Sequence, residues 1–170
     1  MTTLGGHRRF PSAAIESMLP SARARRPALR GAGASPKHIA RAYRDASIPA
    51  SGWLDRLSEA ERQRFRERGR LLVGLIIAYL DAADPAQAKR RRAKAEAVVT
   101  EYALRARSLR MSLADTIDGF LVFRRPLLSE IAAAAPRRSL DSREAANFVL
   151  QAESALDDLL LALMRAYSSI

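Results

Sequence analysis

Four polar cap signals, each followed by apolar residues at helical spacing, constrain this chain more than any other feature. They are Ser58 with Glu61, Asp84 before Pro85, Ser112 with Asp115, and Asp141 with Glu144. A side-chain oxygen at such a position accepts a hydrogen bond from the first helical turn, so each pair marks a helix start. Beyond residues 1–19, no segment alternates between apolar and polar residues with the period of two typical of a half-buried strand. The sequence therefore predicts an all-α fold.

The expected architecture is an antiparallel helical bundle of about five helices within residues 36–170, because the connections between them are short. One helix is expected after Pro36, and a short apolar turn at Trp53, Leu54 and Leu57 follows it. The four capped helices then run from residue 58 to about 83, 84 to about 108, 112 past 131, and 141 to about 167.

The helix that begins at Ser112 is expected to carry a long buried stripe and an internal proline. The predicted stripe is Leu113, Ile117, Phe120, Leu121, Leu128 and Ile131. Pro126 should kink this helix or remove one backbone hydrogen bond. A helical glycine costs roughly 1 kcal/mol relative to alanine, so Gly69, Gly74 and Gly119 predict places where the chain packs closely.

The residue types present exclude several kinds of chemistry. The chain has no cysteine, and its two histidines are His7 and His38, so Cys-ligated zinc and His-rich metal sites are excluded. The sequence contains no phosphate-binding glycine loop, zinc-protease motif or nucleophile elbow. It also shows no apolar run long enough for a membrane span and no signal-peptide core. We therefore expect a cytoplasmic protein that is not an enzyme and uses no cofactor or metal.

Positive charge is concentrated in the first third of the chain. The net charge is +11, and residues 1–57 hold ten Lys or Arg against three Asp or Glu, whereas residues 58–170 hold nineteen against fifteen. Such an excess favours polyanionic partners, nucleic acid first. An arginine- and alanine-rich composition set by codon usage is the alternative explanation.

Residues 20–35 have the composition of a flexible basic linker. Pro20 and Pro27 interrupt helices, Gly31 and Gly33 loosen the backbone, and Leu29 is the only large apolar side chain. The predicted organisation is therefore a unit at 1–19, this linker, and a helical unit at 36–170.

The N-terminal run Thr3-Leu4-Gly5-Gly6-His7-Arg8-Arg9-Phe10, with the short amphipathic turn after it, resembles a known element. It is similar to the wing and following helix of excisionase-like or MerR-like winged helix-turn-helix regulators, over residues 2–19. That family places its helix-turn-helix before the wing, so the resemblance implies an N-terminally incomplete transcriptional regulator. The implied phosphate contacts, shared between the wing and the basic linker, are His7, Arg8, Arg9, Arg23, Arg25, Arg26 and Arg30. A disordered basic leader is the alternative.

A second, weaker resemblance lies in the helices. Its matching residues are Tyr102, Ser112, Leu113, Phe120, Leu121, Phe123, Arg124, Arg125, Leu127 and Leu128. The pattern is similar to helical sensor domains of stressosome co-antagonist proteins and of some purine-catabolism-type regulators. It implies a domain that senses a signal or dimerises, with a ligand or anion contact at Tyr102, Arg124 and Arg125. The alternative is a structural ion pair from the arginines to Asp118, Glu130 or Glu101.

Three further patterns bear on partners. Alternate arginines from Arg62 to Arg70, interspersed with glutamates, favour a solvated helix face. The run Lys89–Lys94 either contacts nucleic acid or another acidic partner, or is a solvated helix start. The last helix has a wide apolar face between Phe148 and Tyr167, with Leu159, Leu160 and Leu161 in sequence, which predicts a homodimer.

The sequence therefore leaves two functions open. The first is a DNA-binding regulator, and the second is a stand-alone helical sensor or interaction module without DNA binding.

Overall fold

The computed structural model describes residues 52–169, and every regular element in that range is a helix. A one-turn helix precedes four long ones: α1 Gly52–Asp55, α2 Glu59–Leu80, α3 Pro85–Ser108, α4 Leu113–Arg137 and α5 Ser142–Ser168. The all-α prediction is confirmed for this part of the chain. The wing expected in residues 1–19, the linker at 20–35 and the helix expected after Pro36 lie outside the described residues.

All four long helices begin at the residues that the sequence indicated. Ser58 Oγ accepts a hydrogen bond from the Glu61 backbone at 3.2 Å, and an Asp84 carboxylate oxygen accepts one from Gln87 at 2.7 Å. The capping box expected at Ser58 is only half formed. Its second half is missing because the Glu61 carboxylate turns toward Arg105 on α3. Capping therefore fixed the start of α2, whereas packing decided the orientation of the glutamate.

The other two starts are closed capping boxes, as predicted. Ser112 accepts from the Asp115 backbone while the Asp115 carboxylate accepts from the Ser112 backbone. Asp141 and Glu144 make the same reciprocal pair at the start of α5. Each box satisfies two backbone donors that would otherwise lack a partner, which is why these sequences begin helices sharply.

Two helix ends turn through a residue with positive φ that is not glycine. Arg110 has φ 57° after α3, and Ser139 has φ 53° after α4. The Met111 N–H then donates to the Ala106 carbonyl at 3.0 Å, and the equivalent bond after Ser139 is 3.4 Å long. This is the hydrogen-bond pattern of the Schellman motif, in which glycine is usual. These compact turns reverse the chain between α3, α4 and α5.

The four long helices alternate in direction, and α5 lies centrally. It packs against α3 and α4, with a smaller contact on α2, while α2 packs mainly on α3. Because consecutive helices are antiparallel, α3 and α5 run side by side in the same direction. We call the end with α1 and the α3–α4 turn the Trp53 end. The opposite end, with the α2–α3 and α4–α5 turns, is the Arg138 end.

The core is continuous along the bundle, with a smaller cluster at one end. Its fully buried large apolar residues come from all four long helices: Ile76, Ile77, Val99, Leu127, Ile131, Leu156 and Leu163. Burying a side chain of this size contributes about 1.5–3 kcal/mol. The smaller cluster consists of Trp53, Leu57, Ala106 and Met111 at the Trp53 end. The one-turn helix α1 is thus a cap on that end.

The buried stripe of α4 is narrower than predicted. Phe120 and Ile131 are buried as expected, together with Phe123 and Leu127. The other four predicted members are only partly buried: Leu113, Ile117, Leu121 and Leu128. The reason is that α4 packs chiefly against one helix, α5, which covers a limited arc. Pro126 lies within α4, and the helix continues past it to residue 137.

Three glycines were expected at close contacts, and only Gly119 lies at one. A Cβ atom on Gly119 would lie 2.5 Å from Tyr102 Oη and 3.0 Å from the Trp53 ring. Around Gly69 and Gly74, nothing lies within 4 Å of such an atom, so that prediction is wrong for both. Helix spacing alone does not say which glycine faces a neighbouring side chain.

Candidate functional site

The seven residues predicted to contact DNA lie outside the described residues. They are His7, Arg8, Arg9, Arg23, Arg25, Arg26 and Arg30. The structure therefore bears on the candidates within the helices: Tyr102, the arginine pair Arg124 and Arg125, and the basic run at the start of α3.

Tyr102 joins three helices at the Trp53 end. Its hydroxyl donates to the Thr116 carbonyl on α4 at 3.2 Å, and its ring meets Phe65 of α2 edge-on, with centroids 5.2 Å apart. The Trp53 indole N–H donates to Asp118 at 3.4 Å across the same junction. Burial raises the pKa of Tyr102 well above its usual range, so the phenol stays protonated and donates at ordinary pH. These contacts make Tyr102 a packing residue of the junction.

Arg124 makes an interhelical ion pair, although with a different partner from those expected. Its guanidinium lies 3.0 Å from Asp157 on α5. Two of the three expected carboxylates are engaged elsewhere, Asp118 by Trp53 and Glu101 by Arg68, and Glu130 makes no ion pair with Arg124. The antiparallel packing of α4 on α5 brings Asp157 to this position, which no spacing within α4 could reveal. Arg125, one residue on, is exposed.

The three residues of the predicted ligand contact therefore engage different surroundings. Tyr102 faces the junction of α2, α3 and α4, whereas Arg124 reaches toward α5 and Arg125 lies on the surface. The described contacts assemble no common pocket from them.

A charged cluster that the sequence did not indicate lies beside Tyr102. The Glu61 carboxylate, nearly buried, accepts from both Nε and Nη2 of Arg105, and from Arg64 at 3.2 Å. The Arg105 hydrogen bond holds the pKa of Glu61 below its usual range. Such a bidentate pair is geometrically specific. It ties the start of α2 to the end of α3, and only the antiparallel pairing of these helices creates it.

The arginines of α2 are largely neutralised by nearby carboxylates. Arg66 pairs with Glu59, and Arg68 pairs with Glu101 of α3 at 2.5 Å. Arg62 adds a looser contact to Glu59 at 3.7 Å. The predicted solvated face is thus a surface of ion pairs, and each exposed pair contributes little to the stability of the fold.

The basic run at the start of α3 behaves differently. Lys89, Arg90 and Lys94 are exposed, and none has an acidic partner within residues 52–169. Arg92, in the same run, is engaged by Glu96 at 3.0 Å and by Asp158 of α5 at 3.1 Å. The first turn of α3 holds no acidic residue. Three cations here remain available to an external anion.

A groove runs along the outer surface where α3 and α5 lie side by side. Its volume is about 640 Å³. Leu104 and Leu161 are part of its lining and are 44% and 48% exposed. The full lining is Arg92, Glu96, Thr100, Leu104, Asp158, Leu161, Ala162, Arg165, Ala166 and Ser169. No other described helix contributes to it.

Between residues 52 and 169, no three His, Cys, Asp or Glu side chains are grouped so that they could hold a metal ion. None of the described helices combines the length and apolar character needed to cross a bilayer.

Comparison of the chain with protein-family models, with curated proteins and with solved structures finds no match.

Proposed function

We propose that this protein is a DNA-binding transcriptional regulator whose helical bundle dimerises or receives a signal. One observation carries the proposal: seven of the eleven net positive charges fall in residues 1–57, in and after the segment that resembles a wing. A regulator of this kind acts in the cytoplasm, and a wing with the helix after it over residues 2–19 is part of the proposal.

The contrast in charge pairing supports the same function. Most arginines of α2 have carboxylate partners, whereas Lys89, Arg90 and Lys94 have none among the described residues. Neutralising phosphates with such cations releases counterions and gives sequence-independent affinity. The segment at 2–19 resembles a wing and the helix after it, and base edges are read mainly by a recognition helix in the major groove. We therefore expect contacts to phosphates, with little sequence preference.

The test is a fluorescence-anisotropy titration of the full chain on two unrelated DNA duplexes at two salt concentrations. We expect dissociation constants of about 10⁻⁴–10⁻⁶ M that weaken steeply with salt and are similar for both duplexes. Replacing Arg8 and Arg9 by Ala should weaken binding to both duplexes equally. It should also reduce the slope of log binding constant against log salt concentration by about 0.9 for each phosphate that is no longer neutralised. Tight, sequence-selective binding that salt barely changes would contradict the proposal.

Matched variants separate a specific phosphate surface from net charge. The triple change K89A/R90A/K94A and the triple change R64A/R66A/R68A each remove three positive charges. The first removes unpaired cations, and the second removes cations already paired with carboxylates. The first should weaken DNA binding more. Equal losses would mean that only the total charge matters.

The second candidate function is a helical interaction module with no DNA binding. The observation that favours it is the α3–α5 groove, where two large apolar side chains are half exposed. If the titration shows no binding even at low salt, this second function replaces the first.

A further inference from the structure

The α3–α5 groove has opposite charges at its two ends. At one end, the single cation Arg92 serves two carboxylates, Glu96 at 3.0 Å and Asp158 at 3.1 Å, which leaves a net charge of −1. At the other end, Arg165 is exposed and has no acidic partner among residues 52–169. The half-exposed Leu161 lies between Asp158 and Arg165 along α5.

The two opposite charges on α5 lie at equal distances from a central point of the helix. Asp158 and Arg165 are seven residues apart, about two helical turns. Leu161 and Ala162 lie at their midpoint. If a second α5 were laid antiparallel across the first at that midpoint, Arg165 of each copy would meet Asp158 of the other. Leu161 would meet its own counterpart, and Ala162 is small enough to allow close approach.

We infer that the groove is the contact surface between two copies of this chain, related by a twofold axis that passes near Leu161. A twofold contact requires a surface that is complementary to itself, and this groove has that property in both charge and apolar character. A helix from another protein would need no such symmetry. The same groove contains the large exposed side chains Leu104 and Leu161, which association would remove from water.

The contact surface differs from the apolar face of α5 that the sequence indicated. The wide apolar face of α5 is covered within the chain, since α3, α4 and α2 all pack against it. Leu159 and Leu163 are buried, whereas Leu161 remains 48% exposed. Any association through α5 must therefore use the Leu161 side of the helix.

The dimer rests on the proposed function only in that a regulator of this class is expected to dimerise, and its test uses no DNA. Sedimentation velocity of the full chain at micromolar concentration should give a dimer. Leu161→Asp should weaken the dimer by about 100-fold or more, because two carboxylates would face each other at the axis. Leu150→Asp is the matched control: it alters a more exposed leucine of α5, at 60%, outside the groove.

A mixing experiment tests the twofold arrangement itself. Arg165→Glu alone and Asp158→Arg alone should each be monomeric, because every homodimer would pair like charges at both ends. In an equimolar mixture, a heterodimer should form. The glutamate introduced at position 165 of one variant would meet the arginine introduced at position 158 of the other, and the unchanged Asp158 and Arg165 would still meet each other. Circular dichroism checks that both variants retain the helical content of the parent chain.

Three outcomes would overturn the inference: a monomeric parent chain, a dimer that L150D weakens as much as L161D, or a mixture of the two charge variants that stays monomeric. A parent chain that is monomeric yet binds DNA would remove the dimer and leave the DNA-binding proposal intact.

Discussion

The two ends of the bundle use the same residue types to different effect. At the Trp53 end, Arg105 is held by Glu61, and the Tyr102 and Trp53 side chains both donate hydrogen bonds to α4. At the Arg138 end, Arg138 lies over the Phe148 ring at 5.0 Å and 3.5 Å from Asp81. At the same end, Lys89, Arg90 and Lys94 of α3 have no acidic partner within the described chain.

This difference shows that arginine content does not by itself identify a contact surface. Arg64, Arg105 and Arg107 at the Trp53 end contribute to the fold, because each faces a carboxylate or carbonyl that packing has placed beside it. Lys89, Arg90 and Lys94 face solvent, and their charge is available to another molecule. The four predictions below test this division between a closed end and an open one, beginning with the largest expected effect.

Gly119→Ala should destabilise the closed end by about 1–3 kcal/mol, because the added methyl overlaps Tyr102 and Trp53. This loss would occur although alanine favours a helix by about 1 kcal/mol. Gly74→Ala is the matched control and should stabilise by up to about 1 kcal/mol, since the space there is open. Urea denaturation measures both changes. The same sign for both substitutions would contradict a tight junction at the Trp53 end.

Glu61→Gln should destabilise the protein at neutral pH and have no effect in strong acid. The pKa of Glu61 is lowered in the folded state, so its contribution is complete above its ordinary value near 4.5 and is lost as the pH falls through the folded pKa. Thermal denaturation of both proteins between pH 7 and pH 2 measures the gap, which should shrink below pH 4.5. A gap that stays constant with pH would mean that packing, and not charge, fixes Glu61.

The turns offer one test at each end. Arg110→Gly and Ser139→Gly should each stabilise by about 0.5–1 kcal/mol, because glycine adopts positive φ without the cost that other residues bear. Arg110 belongs to the Trp53 end and Ser139 to the Arg138 end. Equal gains in urea denaturation would show that turn geometry alone decides the effect. A loss at either position would identify a side-chain contact that outweighs the backbone strain.

The smallest effect is expected for the unpaired cations. K89A/R90A/K94A should change stability by less than about 0.5 kcal/mol, as is usual for exposed side chains without partners. R64A/R66A/R68A should lower stability more, since it breaks pairs to Glu61, Glu59 and Glu101. Thermal denaturation of the two variants compares them directly. A larger loss from the first set would show that the open end is part of the fold's own structure.

Much of the fold could be predicted from local rules, and little of the candidate site could. Asp84, Ser112 and Asp141 cap helices through bonds to residues three positions on, a distance that the sequence itself fixes. The Arg124 pair, by contrast, depends on Asp157, which is 33 residues away. The DNA-contact residues of the first thirty positions stay predictions, as do the regulator function and the dimer.

Local sequence patterns predict where the helices start and that the described chain is all-helical, because capping and apolar periodicity act within a few residues. Which helix covers which face depends on tertiary packing. It placed Gly119 against Tyr102 but left Gly74 in open space, and it buried Leu159 but left Leu161 half exposed. The physical reason is that helical spacing sets the direction of a side chain, whereas its neighbour depends on how separate helices pack together.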